Sequence, residues 1–232
     1  MTTEIIQSRV AEGCLTLGLR IVCVSDTHSI AHPSDLPDGD ILIHAGDLSL
    51  CGEVHEIQSA LAWLRKFPHK YKIVIGGNHD NALVEFGTTL FEDQFKPYKD
   101  RTPLIYLCGS KTTVEAEGRK ITVFGSSVLP FNPIYRTGAR AYMLDGTTAR
   151  HWNYAPKCDI LVTHGAPKGV LDATYGDPIL RAYVQQIKPK LHVFGHIHTG
   201  YGQLKTEGTQ FVNASMLNDA YRPTNEPIVV EV

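Results

Sequence analysis

The chain has 232 residues, 43% of them hydrophobic and 20% charged, with a formal net charge of −2. That length supports one full hydrophobic core, so residues 1–232 are expected to form a single domain, and the composition excludes a disordered or membrane-embedded chain. The near-neutral charge leaves no global basic field for extended nucleic acid. Five scattered cysteines without a Cys-x-x-Cys pair, and an N-terminal stretch broken by Glu4, Arg9 and Glu12, point to reduced thiols in a cytoplasmic protein. Without a secretory signal, the sequon Asn213-Ala214-Ser215 reads as chance.

Residues 19–25 (LRIVCVS) read as a buried strand running into Asp26-Thr27-His28. Residues 40–44 (DILIH) form a second strand, followed by Gly46-Asp47. Between Glu53 and Phe67, the residues Val54, Ile57, Leu61 and Leu64 recur at helical spacing, and Pro68 closes the helix. Residues 72–75 are a third strand leading to Gly77-Asn78-His79-Asp80. Strand, helix, strand in this order implies parallel pairing through a crossover helix. A hairpin is expected over residues 112–124, turning at Glu117-Gly118. Strands at 160–163 and 191–195 end at Thr163-His164-Gly165 and Gly195-His196-Ile197-His198, with a helix at 178–187 between them. Residues 201–232 read as β-structure turning at Glu207-Gly208. Residues 126–157 lack clean periodicity, and a plain connection and a loop overhanging the site are equally open.

The five motifs fall at the C-terminal ends of apolar strands, where open α/β sheets bind ligands. Asp26 and His28 are two residues apart, as are His196 and His198; in extended chain each pair points to one side and can reach one ion. Asp47 has two carboxylate oxygens with which to bridge two ions, Asn78 adds a neutral carbonyl oxygen, and His164 adds a further nitrogen. Gly46, Gly76, Gly77, Gly165 and Gly195 flank these donors where the backbone must turn. The inventory suits two divalent transition-metal ions (Mn, Fe, Zn, Co or Ni) and hence phosphate-ester hydrolysis. Each group also has an ordinary structural reading, as a helix cap or a packed imidazole, and it is the ordered set that outweighs those readings. Of the other six histidines, His44 and His192 read as satisfied buried residues, and His32, His55, His69 and His151 as surface or loop. Ser126, Ser127, Asn132, Arg136, Arg140 and Lys168 are weaker candidates for contact with a leaving group or phosphate.

Over residues 21–198 the series Asp-x-His, Gly-Asp, Gly-Asn-His-Asp, His and Gly-His-x-His resembles the calcineurin-like metallophosphoesterase superfamily. Residues 68–75, Thr163-His164-Gly165 with Leu171-Asp172, residues 189–202 and Asn213-Ala214-Ser215 are similar to its metallophosphoesterase-domain-containing and class III cyclic-nucleotide phosphodiesterase-like group, in which Glu tends to replace Asp80. The resemblance implies an α/β (α+β) fold, a four-layer sandwich of two mixed β-sheets flanked by helices. It implies one ion on Asp26, His28, Asp47 and His198, and a second on Asp47, Asn78, His164 and His196. Asn78 and His79 would meet the phosphate, with His79 as the catalytic residue assisting the leaving group. The implied activity is hydrolysis of a small phosphodiester, such as a cyclic nucleotide, by a hydroxide that the ions share. A phosphomonoesterase and a catalytically silent scaffold of the same fold are the alternatives. The partner expected is a small phosphate ester, a nucleotide among the candidates, with no membrane involved. The arginines of a phosphoprotein phosphatase are missing beside Asp47 and Asn78, and Leu50 stands where a purple acid phosphatase would need tyrosine.

Overall fold

The computed structural model describes residues 18–87, 89–91, 103–116, 118–131, 139–144 and 148–232. Among these the strands are β1 (Arg20–Val24), β2 (Ile41–His44), β3 (Tyr71–Val74), β4 (Leu104–Tyr106), β5 (Ser110–Ala116), β6 (Arg119–Ser126), β7 (Leu129–Pro130), β8 (Met143–Leu144), β9 (Ile160–Thr163), β10 (Leu191–Phe194), β11 (Gly202–Thr206), β12 (Thr209–Asn213) and β13 (Ile228–Glu231). The α-helices are α1 (Val54–Leu64), α2 (Asn81–Phe86), α3 (Ala149–Tyr154) and α4 (Pro178–Ile187). One sheet runs β13-β1-β2-β3-β4 and the other β11-β12-β10-β9-β6-β5, while β7 and β8 form a small pair. β1 to β4 are mutually parallel with β13 antiparallel at the edge. β6, β9, β10 and β12 are parallel and flanked by antiparallel β5 and β11.

Strand alternation builds the layers. Ile21, Cys23, Ile41, Ile43 and Ile73 face inward and meet Val123, Ile160, Val162, Leu191 and Val193 of the second sheet. Their neighbours Val22, Val24, Leu42 and Val74 face outward beneath Ile57, Ala60, Leu61 and Leu64 of α1. On the far side Phe124, Leu161, Phe194 and Phe211 pack against Trp152 of α3 and Leu180, Tyr183 and Val184 of α4. Both faces of the central strands are buried, which is why they read as continuous apolar runs. The result is the expected four-layer mixed α/β sandwich.

The strands read up to residue 195 stand within a residue or two of their expected bounds and α4 coincides with its expected span, whereas α1 ends at Leu64, three residues before Phe67, and residues 214–227 of the expected β stretch 201–232 carry no strand. The short β4 and α2 carried too little pattern to be read. The stretch 126–157 is not a bare connection, since it contains β7, β8 and α3. None of the helices among the described residues is long and apolar enough to cross a membrane. For the site, the consequence is that the C-terminal ends of β1, β2, β3, β9 and β10 open toward one edge. Main-chain bonds knit their loops there: Asp26 N–H to Gly46 O at 2.9 Å, Gly195 N–H to His164 O at 3.0 Å, and Met216 N–H to Ser25 O at 2.8 Å.

Candidate metal centre

Three of the five motifs leave their strands through a left-handed backbone: φ is 52° at Asp26, 46° at His28, 54° at Asp47 and 67° at His196. For residues other than glycine this conformation costs about 1–2 kcal/mol and clusters at functional sites. The extended-chain rationale for the Asp26/His28 and His196/His198 pairs is therefore corrected, because a turn and not the pleat of a strand brings them together. Glycine is required where loops approach closely. A Cβ on Gly77 would lie 2.2 Å from Asp47 Oδ1, and one on Gly195 would lie 2.1 Å from Asp26 Oδ2.

The eight residues named from the sequence converge. Asp47 Oδ2 lies 3.5 Å from His28 Nε2 and 3.2 Å from His164 Nε2. His164 Nε2 is also 3.0 Å from Asn78 Oδ1, and His198 Nε2 is 3.5 Å from Asp26 Oδ1. Asp26, His28 and His198 form one potential ligand group, and Asp47, His164 and His196 another; His28, Asp47 and His79 also qualify by distance, with donor atoms in each group within 4.8 Å of one another. Asp47 does not offer both oxygens equally. Oδ1 accepts the His79 main-chain N–H at 2.9 Å, which leaves Oδ2 as the atom facing both histidines.

Four imidazoles are locked in one orientation by main-chain carbonyls. His28 Nδ1 meets Ser49 O at 3.0 Å, His79 Nδ1 meets Leu50 O at 2.7 Å, His164 Nδ1 meets Ala45 O at 2.9 Å, and His198 Nδ1 meets Asn218 O at 3.0 Å. A carbonyl only accepts, so each Nδ1 donates its proton there and Nε2 is the nitrogen each ring turns inward. Donors held 2.0–2.2 Å from an ion sit about 3–3.5 Å from one another, which matches the separations above. His28 Nε2 is buried with no hydrogen-bond partner, a costly orphan in the absence of a ligand. The donor set fits divalent cations: Asp26, His28 and His198 could serve one, Asn78, His164 and His196 the other, with Asp47 between.

Electrostatics reinforce the fit. Burial pushes the Asp47 carboxyl up, yet the His164 and His28 imidazoles hold it well below the usual carboxylate range. Asp26 behaves likewise, burial being outweighed by His198 and His164. In return, although burial lowers them, Asp47 raises His164 to about 9 and Asp26 raises His198 to about 9. Burial depresses His28, and burial with the nearby His164 charge takes His196 down to about 4. The carboxylates that favour protons on His164 and His198 demand positive charge at the site, and a metal ion would compete with those protons.

The supporting residues were mostly invisible in the sequence. Buried Asp80 accepts from Leu48 N at 3.2 Å, Ser49 N at 2.9 Å, Ser49 Oγ at 2.7 Å and Gly77 N at 2.8 Å, tying the loop after β2 to the loop after β3. Burial and the Asp47 charge push Asp80 up to about 6. Ser215 Oγ donates to Asp26 Oδ2 at 2.8 Å, and Asn213 Nδ2 bonds Ile197 O at 2.8 Å and Leu171 O at 3.2 Å, so Asn213-Ala214-Ser215 is a buried brace. His44 is satisfied by Thr27 Oγ1 at 3.0 Å and the Gly46 N–H at 3.3 Å. His192 is not: Nε2 meets Thr163 Oγ1 at 2.8 Å, but Nδ1 is buried without a partner. His69 is buried, with Nε2 3.1 Å from Pro37 O, and not on the surface. His32 stacks on Trp63 and His151 bonds Ser126 Oγ, both half-buried, so only His55 is plainly exposed.

The weaker substrate candidates disperse. Ser126 and Ser127 are buried, and Lys168 Nζ turns to Thr174 O and Asp172 within its own loop. The Arg140 guanidinium sits 5.6 Å over the Phe131 ring. Asn132 and Arg136 lie outside the described residues. One part of the excursion does border the site, because Ala141 N–H donates to Asn78 O at 3.0 Å and the Tyr142 ring lies against Gly76.

A family model described as calcineurin-like phosphoesterase matches residues 19–200. The chain is 37% identical over 237 residues to metallophosphoesterase domain-containing protein 1 of Homo sapiens, covering 92% of this chain and 71% of that protein. It is 35% identical over 230 residues to UPF0046 protein K07C11.7 of Caenorhabditis elegans, covering 91% and 74%. Among solved structures, TT1561 of Thermus thermophilus aligns with a TM-score of 0.60 over 92% of this chain and 99% of that one; at 12% identity this likeness concerns the fold alone.

Proposed function

Because the chain belongs to the calcineurin-like phosphoesterase family, we propose that it is a two-metal phosphodiesterase acting on small phosphodiesters such as cyclic nucleotides. The observation that carries this reading is the single oxygen, Asp47 Oδ2, set between His28 Nε2 and His164 Nε2. Asp26, His28, Asp47 and His198 are assigned to one ion and Asp47, Asn78, His164 and His196 to the other, with Mn, Fe, Zn, Co or Ni all compatible with these donors. When bound, two such ions supply Lewis acidity and a water of lowered pKa.

The chain's own residues do the rest. Two carboxylates against two dications leave the site cationic, so it attracts an anionic ester. Asn78 adds an oxygen without adding charge. His79 has its Nδ1–H committed to Leu50 O, so a proton on Nε2 is the one available to the departing alkoxide, and Asn78 and His79 together meet the phosphate. A diester is favoured over a monoester because the cleft beside His196 and His198 is lined by tyrosines and Asp219, with no lysine or arginine among the described residues that line it to clamp a second phosphate charge.

The test is hydrolysis of bis(p-nitrophenyl) phosphate beside p-nitrophenyl phosphate by metal-stripped protein reloaded with Mn²⁺. Metal-dependent turnover of the diester is expected, with Asp47→Ala losing both ions and His79→Ala keeping them while losing roughly 10²–10⁴-fold in rate. Two bound ions per chain with neither ester hydrolysed would favour the silent-scaffold alternative instead.

A further inference from the structure

Two tyrosines face the cleft that opens beside the metal centre. Tyr175 and Tyr221 border a cavity of about 230 Å³ that also includes His196, His198 and Asp219. Tyr175 is 73% exposed and Tyr221 39%, so neither ring is consumed by the core. The Tyr221 ring continues the site directly: its centre lies 5.0 Å from that of His28, 5.3 Å from that of His198 and 6.4 Å from that of His79.

We propose that Tyr175 and Tyr221 form an aromatic clamp that grips the base of a nucleoside phosphate whose phosphoryl group lies at the metal centre. The proposal rests on the phosphoesterase reading and deepens it by naming residues that select the substrate. A cavity smaller than the roughly 300–1,000 Å³ of drug-sized pockets suits one ring system.

The loops that carry the two rings are strained and braced. Leu171, Ala173 and Thr174 precede Tyr175 with φ of 48°, 40° and 78°, and Tyr221 itself has φ 56°. The Asp172 carboxylate accepts N–H groups from Gly169 and Gly176 at 2.9 and 3.0 Å, and the Asp172 carbonyl accepts the Tyr175 N–H at 2.7 Å. The Asn218 side chain accepts from Ala220 N at 2.9 Å and Arg222 N at 3.1 Å, on either side of Tyr221. The carbonyl of the same Asn218 orients His198, so the Tyr221 ring and a metal-centre imidazole are registered through one residue. Strain of this kind persists where surroundings over-determine it, typically at ligand clamps. Asp219 at the rim accepts a hydrogen bond from a ribose hydroxyl or an exocyclic amine and repels any second phosphate.

The test uses the Mn²⁺-loaded protein and calorimetric titration with AMP and with ribose 5-phosphate, which share a phosphate and differ in the base. Base stacking predicts AMP binding roughly 5–150-fold tighter, with ADP no tighter than AMP. Tyr221→Leu and Tyr175→Leu should each bring the AMP preference toward unity, while Tyr221→Phe retains it. Equal binding of the two ligands by the wild-type protein, no binding of either at millimolar concentration, or a preference that survives one of the leucine variants intact would overturn the clamp. The two readings fail separately: base-selective binding without ester hydrolysis overturns only the phosphoesterase, and hydrolysis without base preference overturns only the clamp.

Discussion

Replacing Gly77 with alanine perturbs the centre at the atom on which the proposed mechanism depends most. Gly77 does not occupy the left-handed region, so the substitution imposes no backbone penalty of that kind; its effect is steric. The new Cβ would stand 2.2 Å from Asp47 Oδ1 and 2.3 Å from Asp47 N, where ordinary contact begins at 3.4 Å. Something must yield by about 1 Å. Neither neighbour is the loose end of a flexible chain, since one is main chain and the other is held by the His79 N–H at 2.9 Å. The carboxylate therefore moves as a body, and Oδ2 leaves its place between His28 and His164. Forced overpacking costs typically about 1–3 kcal/mol, or roughly 2–12 °C in melting temperature for a chain of this size. A displacement of about 1 Å at the reacting centre costs roughly 10²-fold in rate.

Three readings on the same preparation separate these effects: diester turnover with Mn²⁺, bound metal per chain, and thermal melting. Gly118→Ala serves as the control, because Gly118 has φ 69° with nothing within 4 Å of its added Cβ. It should lose about 1 kcal/mol of stability to the backbone alone, with metal content and rate unchanged. If Gly77→Ala binds two ions and turns over within about threefold of the wild type, the position of Asp47 does not control the reaction and the reasoning fails.

Other perturbations probe the supports. Ser215→Ala removes the hydroxyl bonded to Asp26 Oδ2 and should weaken Mn²⁺ binding about 10–100-fold while the fold persists; unchanged affinity in a metal titration would deny it a role in orienting Asp26. Asp80→Asn replaces a carboxylate that accepts from four donors with a group that can accept on one side only, and should cost about 2–4 kcal/mol in urea unfolding; a loss below about 1 kcal/mol would mean the two loops are held otherwise. His192 is kept neutral by burial, its pKa falling from 6.5 to about 3. Its contribution is fully present above pH 6.5 and is lost as pH falls toward 3, because the unfolded chain takes up a proton that the folded chain refuses. His192→Gln should therefore flatten the pH dependence of stability in the metal-free protein by up to about 1.4 kcal/mol per pH unit between those limits, and an unchanged slope would contradict the assignment.

The fold could be read because both faces of its central strands are buried. Leu42 beneath α1 and Ile43 against the second sheet are adjacent residues serving different layers, and that need leaves an apolar run any reader can find. The metal-ligand candidates could be read because the chemistry restricts residue type: few side chains supply the carboxylate of Asp26 or the imidazoles of His28 and His164. How they are placed could not be read in the same way. The left-handed backbone at Asp26, His28, Asp47 and His196 goes against residue preference, so propensity pointed to extended chain where turns exist. His69, expected at the surface, is buried because its ring meets Pro37 O across 32 residues, a partner no local pattern announces.

The deepest loss of information lies in what orients the imidazoles. His28, His79, His164 and His198 are each held by a main-chain carbonyl, at Ser49, Leu50, Ala45 and Asn218. Every residue carries that acceptor, so the bond itself makes no demand on side-chain type, and the path of the backbone is what aims each ring. Asp80 is the converse: its type was in plain view at the end of Gly-Asn-His-Asp, yet the four donors that explain it belong to Leu48, Ser49 and Gly77, three of them main-chain N–H groups. A sequence therefore reports the atoms that meet the proposed ions and hides the atoms that aim them. Substitutions at the exposed Leu50 that preserve the backbone should consequently leave the centre intact, whereas a small shift of its loop would turn the His79 imidazole away from it.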